Sequence, residues 1–274
     1  HSFMTQIVPS EYRGKAFSRF GGINRIGWFF GPVIGGFTAG SIGIDLPFYI
    51  ISVVALFTTI LIFFTTEPTN ENLIQSNEIK PTTFKETILE NKKSFTIGGS
   101  GHFIMQFLRQ CRHVLIPIWA FSIGLGVEEL GLIQSISAAI DMTLFYPVGL
   151  IMDKYGRKWT SVPSIILLSL GFIFMTYVDS FNGLMLVGLL LGFANGLGSG
   201  AMLTLGSDLS PKNQPGSFLG IWRLFGWSGN SAGGPISGAI AQTVGNTASA
   251  LSISMIGGIG VIIFSFLLPE TLKE

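Results

Sequence analysis

Charge is scarce in this sequence. Only 11% of its 274 residues are Asp, Glu, Lys or Arg, against 48% hydrophobic, and the mean hydropathy is +0.57. A surface so poor in charge does not suit an ordinary water-soluble domain, and lipid is its natural solvent. The net charge is +1 and the pI near 8.0, so there is no basic excess of the kind that grips nucleic acid. There is one cysteine, Cys111, which excludes an internal disulfide framework and any Cys/His metal spacing. No HExxH, no Ser/His/Asp grouping and no GxxxxGK[ST] loop occurs, so neither hydrolytic, metal-dependent nor ATP-driven chemistry has a motif to stand on. The chain opens His1-Ser2-Phe3 without the charged n-region of a secretory leader, and a partial sequence is the expectation.

Long apolar runs are what the sequence has instead. A helix crossing a hydrocarbon core of about 30 Å needs roughly 20 mostly apolar residues. Eight segments qualify: Ala16 to Gly40, Leu46 to Thr66, Ser94 to Phe121, Leu130 to Met152, Val162 to Val178, Leu184 to Gly206, Phe218 to Ala241 and Ala248 to Leu268. They are too long and too continuously apolar for barrel strands. Outside the spans, Lys and Arg fall only in alternate loops: Arg13 and Lys15; Lys80, Lys85, Lys92 and Lys93; Lys154, Arg157 and Lys158; Lys212; Lys273. The loops around Asp45, Val127, Asp179 and Asn246 have none. By the positive-inside rule both ends of the chain face the cytoplasm, and the span number is even.

The polar stretch 67–93 reads as a cytoplasmic linker between two spans (1–66) and six (94–274). An internal repeat supports that division. Gly31-Pro32-Val33-Ile34-Gly35 returns as Gly234-Pro235-Ile236-Ser237-Gly238, an offset of 203 residues, and the same offset carries Glu67 onto Glu270. The unit is six helices. An even unit repeats in parallel, about an axis along the membrane normal. The first copy keeps two of its helices, so about four spans, on the order of 120 residues, are expected upstream.

Two motifs sharpen the reading. Gly27-x-x-x-Gly31-Pro32-x-x-Gly35-Gly36 puts Gly27, Gly31 and Gly35 on one face of the first span, where glycines permit close helix approach in lipid. Gly149-x-x-x-Asp153-x-x-Gly156-Arg157-Lys158 makes a short, charged cytoplasmic turn after the fourth span. Tight packing and ordinary positive-inside topology are the plain readings of these two. With both at full spacing, and with the six-helix repeat, the chain resembles the major facilitator superfamily, in particular its drug:proton antiporter branch. The resemblance covers essentially the whole chain, as the equivalent of helices five to twelve. It implies an all-α integral membrane protein, eight helices of a twelve-helix fold built from two parallel six-helix repeats. It also implies that Asp153 contacts a helix N-terminus near Gly14 to Ala16 in the opposite half, stabilising the outward-facing state, and that the first-span motif seals the interface between halves.

Ionisable groups at bilayer depth are functional candidates by default. Asp141 is the one acid set well inside a span, and it shares a face of the fourth span with Gln134 and Ser137. On the third span His102, Gln106, Arg109 and His113 recur at helical spacing, with Arg112 beside them. Counting inward from the connecting loop puts Asp141, Arg109 and Arg112 about 15 to 20 Å deep, so carboxylate and guanidinium can meet near mid-membrane. Two readings compete. One is a static ion pair that lets both charges stay in lipid. The other is a proton site or cation-binding site in an alternately opening cavity, although two arginines beside one acid oppose proton carriage near neutral pH. Asn195 and Asn230 are cavity-lining residues or satisfied packing hydrogen bonds, Arg223, Arg25 and Arg19 gate or snorkelling candidates, and Trp119, Trp159, Trp222 and Trp227 interfacial anchors or cavity walls.

The expected function is proton-coupled secondary transport, exporting small organic compounds by alternating access from the plasma membrane. No cofactor beyond the proton gradient and no metal is expected; the partners are the bilayer, a small-molecule substrate and the upstream helices. Uptake symport of a sugar or organic ion is the alternative in the same class. A membrane-embedded enzyme or a non-transporting receptor is the alternative outside it.

Overall fold

The computed structural model describes residues 13–65, 84–211, 215–268 and 270–271, with side chains from residue 26 onward. Helix is the only regular structure among the described residues. This follows from the solvent, since a chain in lipid must satisfy its backbone polar groups within each segment. The helices are α1 (Arg13–Ser41), α2 (Leu46–Thr65), α3 (Phe84–Glu90), α4 (Ser100–Ser122), α5 (Val127–Tyr155), α6 (Lys158–Met175), α7 (Phe181–Leu197), α8 (Ala201–Leu209), α9 (Pro215–Thr243) and α10 (Asn246–Ile262). A π-helical turn, Ser94–Gly99, leads into α4 and another, Ile263–Leu267, ends α10.

All eight apolar segments are therefore helical. By length and composition alone, five stretches suit a membrane crossing: α2, α5, α6, the Phe181–Leu209 stretch and Asn246–Leu267. The remaining long helices, α1, α4 and α9, are the ones that carry arginine.

Two expectations change. The sixth span is not one rod: it breaks between α7 and α8 at Gly200, whose φ of +79° suits a residue without a β-carbon. The stretch expected to be a plain linker contains α3, whose Thr87 is fully buried; its residues 67–83 lie outside the described residues.

The chain divides into two compact units, 1–79 with 127–135, and 80–126 with 136–274. In the first unit α1 crosses the start of α5 at close range. A β-carbon at Gly36 would stand 2.8 Å from the Val127 carbonyl oxygen and 3.0 Å from the Gly131 Cα, and one at Gly131 would stand 2.5 Å from the Pro32 carbonyl oxygen. Glycine on both helices is what permits the crossing. α2 buries none of its residues, and its hydroxyls bond back to their own helix, as Thr58 Oγ1 does to the Val54 carbonyl (2.7 Å). An apolar cavity of about 360 Å³ lies beside the crossing, lined by Pro32, Gly35, Gly36, Phe48, Gly131 and Gln134 among others.

In the second unit α4 and α9 form the most extensively packed pair. Gly226, Gly229 and Gly233 of α9 lie against His102, Phe103 and Phe107 of α4. Phe95, Phe218, Trp222 and Phe225 stack around the π-helical entry to α4. Trp119 and Trp222 are 6% and 1% exposed, and their indole N–H groups donate to Val178 O (2.9 Å) and Met202 O (2.9 Å). They are internal ties between helices, not interfacial anchors. Trp159 and Trp227, both 67% exposed, remain available for that role.

Candidate functional site

Among the half-buried positions of α4, Phe103, Gln106, Arg109, Gln110, His113 and Val114 form a stripe. The period is that of one helical face, so a polar row faces away from the apolar packing of the same helix. Arg109 lies on this row. Its guanidinium donates to Gln106 Oε1 (3.2 Å) and to the Asn195 carbonyl of α7 (3.3 Å). Asn195 thus belongs to the cluster, through its backbone.

Arg112 lies on the inner side of α4, 4% exposed. Its Nη1 donates to Ser137 Oγ of α5 (3.4 Å) and to the Leu191 carbonyl of α7 (3.2 Å). Its Nη2 is 3.4 Å from His113 Nε2. Guanidinium nitrogens only donate, so this contact makes Nε2 the acceptor and leaves the ring proton on Nδ1. The Arg112 Nε has no hydrogen-bond partner among the described residues.

Asp141 of α5 is half-buried and within electrostatic reach of Arg112. Its Cα lies against Gly196, where a β-carbon would stand 3.2 Å away. A β-carbon at Gly198, in turn, would stand 2.8 Å from the Arg109 Nη2. The glycine-rich end of α7 is therefore the surface on which the acid of α5 and the arginine of α4 converge. Ser164 of α6 closes it by donating to the Ala194 carbonyl (2.6 Å). Asp141, Arg109 and Arg112 thus lie around the same end of α7, with Arg112 buried and Arg109 half-buried.

His102, from the same sequence row, belongs elsewhere. It is 7% exposed, stacks on Trp222 at 5.1 Å, and its Nδ1 donates to the Trp222 carbonyl (3.1 Å). Arg223 and Asn230 are exposed on α9, and the Arg25 and Arg19 side chains lie outside the described residues.

The charged turn between α5 and α6 forms a second constellation. Arg157 pairs with Asp208 at the end of α8 (Nε to Oδ2, 2.8 Å; Nη2 to Oδ1, 3.4 Å) and donates from Nη1 to the Met152 carbonyl (3.0 Å). Glu270 caps α6: its two carboxylate oxygens accept from the backbone N–H groups of Arg157 (3.0 Å) and Lys158 (3.2 Å). A carboxylate there meets orphan donors and the positive end of the helix dipole together. Thr271 Oγ1 donates to Asp208 Oδ2 (2.7 Å), and Lys158 Nζ to the Ser265 carbonyl (3.1 Å). Gly149 meets nothing within 4 Å, and Asp153 is exposed with no hydrogen-bond or ion-pair partner among the described residues. Its expected neighbour, Gly14 to Ala16, has no described side chains.

Asp208 was not among the residues singled out from sequence. Glu270 was, but only as half of a repeat. On α1 the glycines in contact are Gly36 and Gly40, the latter against the Glu128 side chain, while Gly27, Gly31 and Gly35 meet nothing within 4 Å.

Comparisons with known proteins bear on this geometry. The sequence profile described as Major Facilitator Superfamily matches residues 1–108 and 98–274. An uncharacterised MFS-type transporter of Methanocaldococcus jannaschii is 22% identical over 276 residues, covering 98% of this chain and 70% of that protein. The multi-drug resistance efflux pump PmrA of Streptococcus pneumoniae is 29% identical over 157 residues, covering 56% of this chain and 37% of the pump. Among solved structures, a D-xylose-proton symporter superposes with a TM-score of 0.66 at 16% identity, over 98% of this chain and 67% of its own. A POT family transporter in complex with a thioalcohol-conjugated peptide gives 0.50 at 16%, over 94% and 54%. The chain thus spans between about a third and two thirds of most of the proteins it matches.

Proposed function

We propose that this chain, which belongs to the Major Facilitator Superfamily, carries the substrate and coupling groups of a proton-coupled secondary transporter that moves small organic compounds by alternating access. A multi-pass membrane transporter, not an enzyme, is what membership means. The coupling, the direction and the residues are the proposal. The observation that carries it is the cluster of Arg109, Arg112 and Asp141 around the end of α7, inside helices otherwise built for lipid. Charge kept at that depth costs roughly 2.5 to 3.5 kcal/mol per group on insertion scales, and function is the usual compensation.

In this reading Asp141 takes up and releases the proton, while Gln106, Arg109, His113 and Asn195 contact substrate. Both ends of the chain are cytoplasmic. The turn from Gly149 to Lys158, with Asp208 and Glu270, closes the cytoplasmic end in one state and parts in the other, and Arg223 and Arg25 are further gate candidates. Gly36, at the end of the motif that begins at Gly27, holds α1 against α5 so that the path does not leak. Export is the direction supported by likeness to the pneumococcal pump. A second reading, proton symport of an organic ion, is favoured by the excess of guanidinium over carboxylate in the cluster.

The test is proton-driven flux in everted vesicles made with the full-length gene product. Wild type is expected to accumulate substrate when the lumen is acidified, and Asp141→Asn to lose that dependence on the gradient. Flux that stays fully gradient-driven in Asp141→Asn would make the carboxylate a structural counter-ion only.

A further inference from the structure

We propose that the apolar cavity of about 360 Å³ beside the crossing of α1 and α5 is a binding site for an uncharged, lipophilic small molecule that carries one hydrogen-bonding group and enters from the bilayer. Its lining lies wholly within the first compact unit and shares no residue with the arginine cluster, so the site stands or falls independently of the transport reading.

The space is built into the crossing. Gly36 and Gly131 bring the backbones of α1 and α5 together, and a β-carbon at Gly36 would already stand 3.0 Å from the Gly131 Cα. The helices have no room to close further, so the space beside their contact is kept open. Gly35, the next residue along α1, lines that space, and a β-carbon there would meet nothing within 4 Å. The volume falls in the range of roughly 300 to 1,000 Å³ usual for small-molecule pockets.

The lining sets the polarity of the occupant. Besides its glycines it includes Pro32, Ala39, Ile44, Phe48, Val127 and Leu130, and it contains no ionisable side chain. A charged ligand would lose its hydration there and gain no counter-ion. Gln134 is the one polar side chain of the lining; it is half-buried, and its amide has no hydrogen-bond partner among the described residues. An amide shielded from water and left unpaired costs about 1–3 kcal/mol. A hydrocarbon chain leaves that cost in place, whereas a hydroxyl or carbonyl group removes it. An apolar wall with a single polar handle is the composition of a small-molecule site.

The route in follows from α2. Pro47 and Phe48 of α2 form one wall, and α2 buries none of its residues; its hydroxyls bond back to their own helix, as Ser52 Oγ does to the Phe48 carbonyl (2.8 Å). Nothing on such a helix asks for water, and lipid chains solvate it. The cavity wall is therefore continuous with a lipid-facing surface, and a compound dissolved in the hydrocarbon reaches the cavity without crossing an aqueous phase.

The experiment uses two photoreactive compounds, a trifluoromethyl-diazirinyl benzyl alcohol and its iodobenzene analogue, which lacks the hydroxyl. Each is photolysed with the full-length gene product in proteoliposomes, and labelled residues are mapped by mass spectrometry. The alcohol is expected to label the stretches Pro32 to Phe48 and Val127 to Gln134 saturably, and excess unlabelled benzyl alcohol to displace it. Gln134→Leu is expected to raise its half-saturating concentration about fivefold, the size of one hydrogen bond. Gly35→Leu, which fills the cavity from a position free of steric contact, is expected to abolish saturable labelling while the size-exclusion profile stays that of wild type. Equal, saturable labelling by the iodobenzene analogue, unaffected by Gln134→Leu, overturns the proposal and makes the cavity a seat for lipid chains. Absence of labelling in these stretches overturns it as well, since the space is then filled by the upstream helices or closed.

Discussion

Single residues in this protein are fixed by contacts the sequence shows with very different clarity. Arg109, Arg112 and Asp141 were legible as a group because helical rise converts position into depth, and a charge at depth is conspicuous. Their partition was not: nothing in the sequence distinguishes the arginine that faces α5 and α7 from the one on the open row, since both are within one turn of α4. Asp208 and Glu270 were harder still. They lie 51 and 113 residues from Arg157, at helix ends where charge is ordinary. Gly156 carries two demands, a φ of +103° and the space taken by the Glu270 carboxyl, 2.5 Å from where a β-carbon would stand. Gly156→Ala is therefore expected to cost about 1–2 kcal/mol for the backbone alone and to displace Glu270 besides. A lowered melting temperature in detergent checks it, and a melting curve identical to wild type would refute the double requirement. Glu270→Gln keeps the shape but removes the charge from the α6 N-terminus, with an expected loss of about 0.5–1 kcal/mol. That variant separates the cap from the backbone effect.

At the scale of helices, apolar runs announce where a rod exists but not where it breaks or what it leans on. The α7 and α8 pair reads as one span because Gly188, Gly192, Gly196, Gly198, Gly200 and Gly206 are alike in sequence, and only one of them takes the positive φ at the break. The π-helical entry to α4 is equally silent, because its Gly98 and Gly99 look like any small-residue pair until Trp222 and Phe225 are seen against them. The α4 and α9 contact rests on α9 glycines that admit the α4 backbone. A β-carbon at Gly233 would stand 2.8 Å from the Phe107 carbonyl oxygen, and the Ser237 hydroxyl bonds back to the Gly233 carbonyl (2.6 Å) one turn later. Gly233→Leu is expected to force the two helices apart and prevent accumulation of folded protein. Gly238→Leu, on a stretch of α9 with nothing within 4 Å, is expected to leave folding intact. Fluorescence-detected size exclusion of the two variants compares them directly, and equal losses would mean that the glycine contacts are not what holds the pair.

For the molecule as a whole, the charge of the ligand and the direction of coupling are tied together by Asp141. Ionised, Asp141 offsets positive charge on Arg112; protonated, it no longer does. An anion therefore binds better when the proton is on, and the two travel the same way. A cation binds better when the proton is off, and the two exchange. The repeat and the loop charges carried the architecture and topology reading, but neither carries this sign, which depends on how two arginines and one acid are arranged around α7. Were the ligand an anion, coupling would be symport: right-side-out vesicles with an acid exterior would accumulate the anionic dye fluorescein and everted vesicles with an acid lumen would lose it, the opposite of the exchange proposed above. Asp141→Asn, a permanently uncharged side chain, should still bind and exchange the anion while ignoring the gradient. Accumulation of the cationic dye rhodamine 6G in everted vesicles, abolished by the same substitution, would establish exchange of a cation for protons.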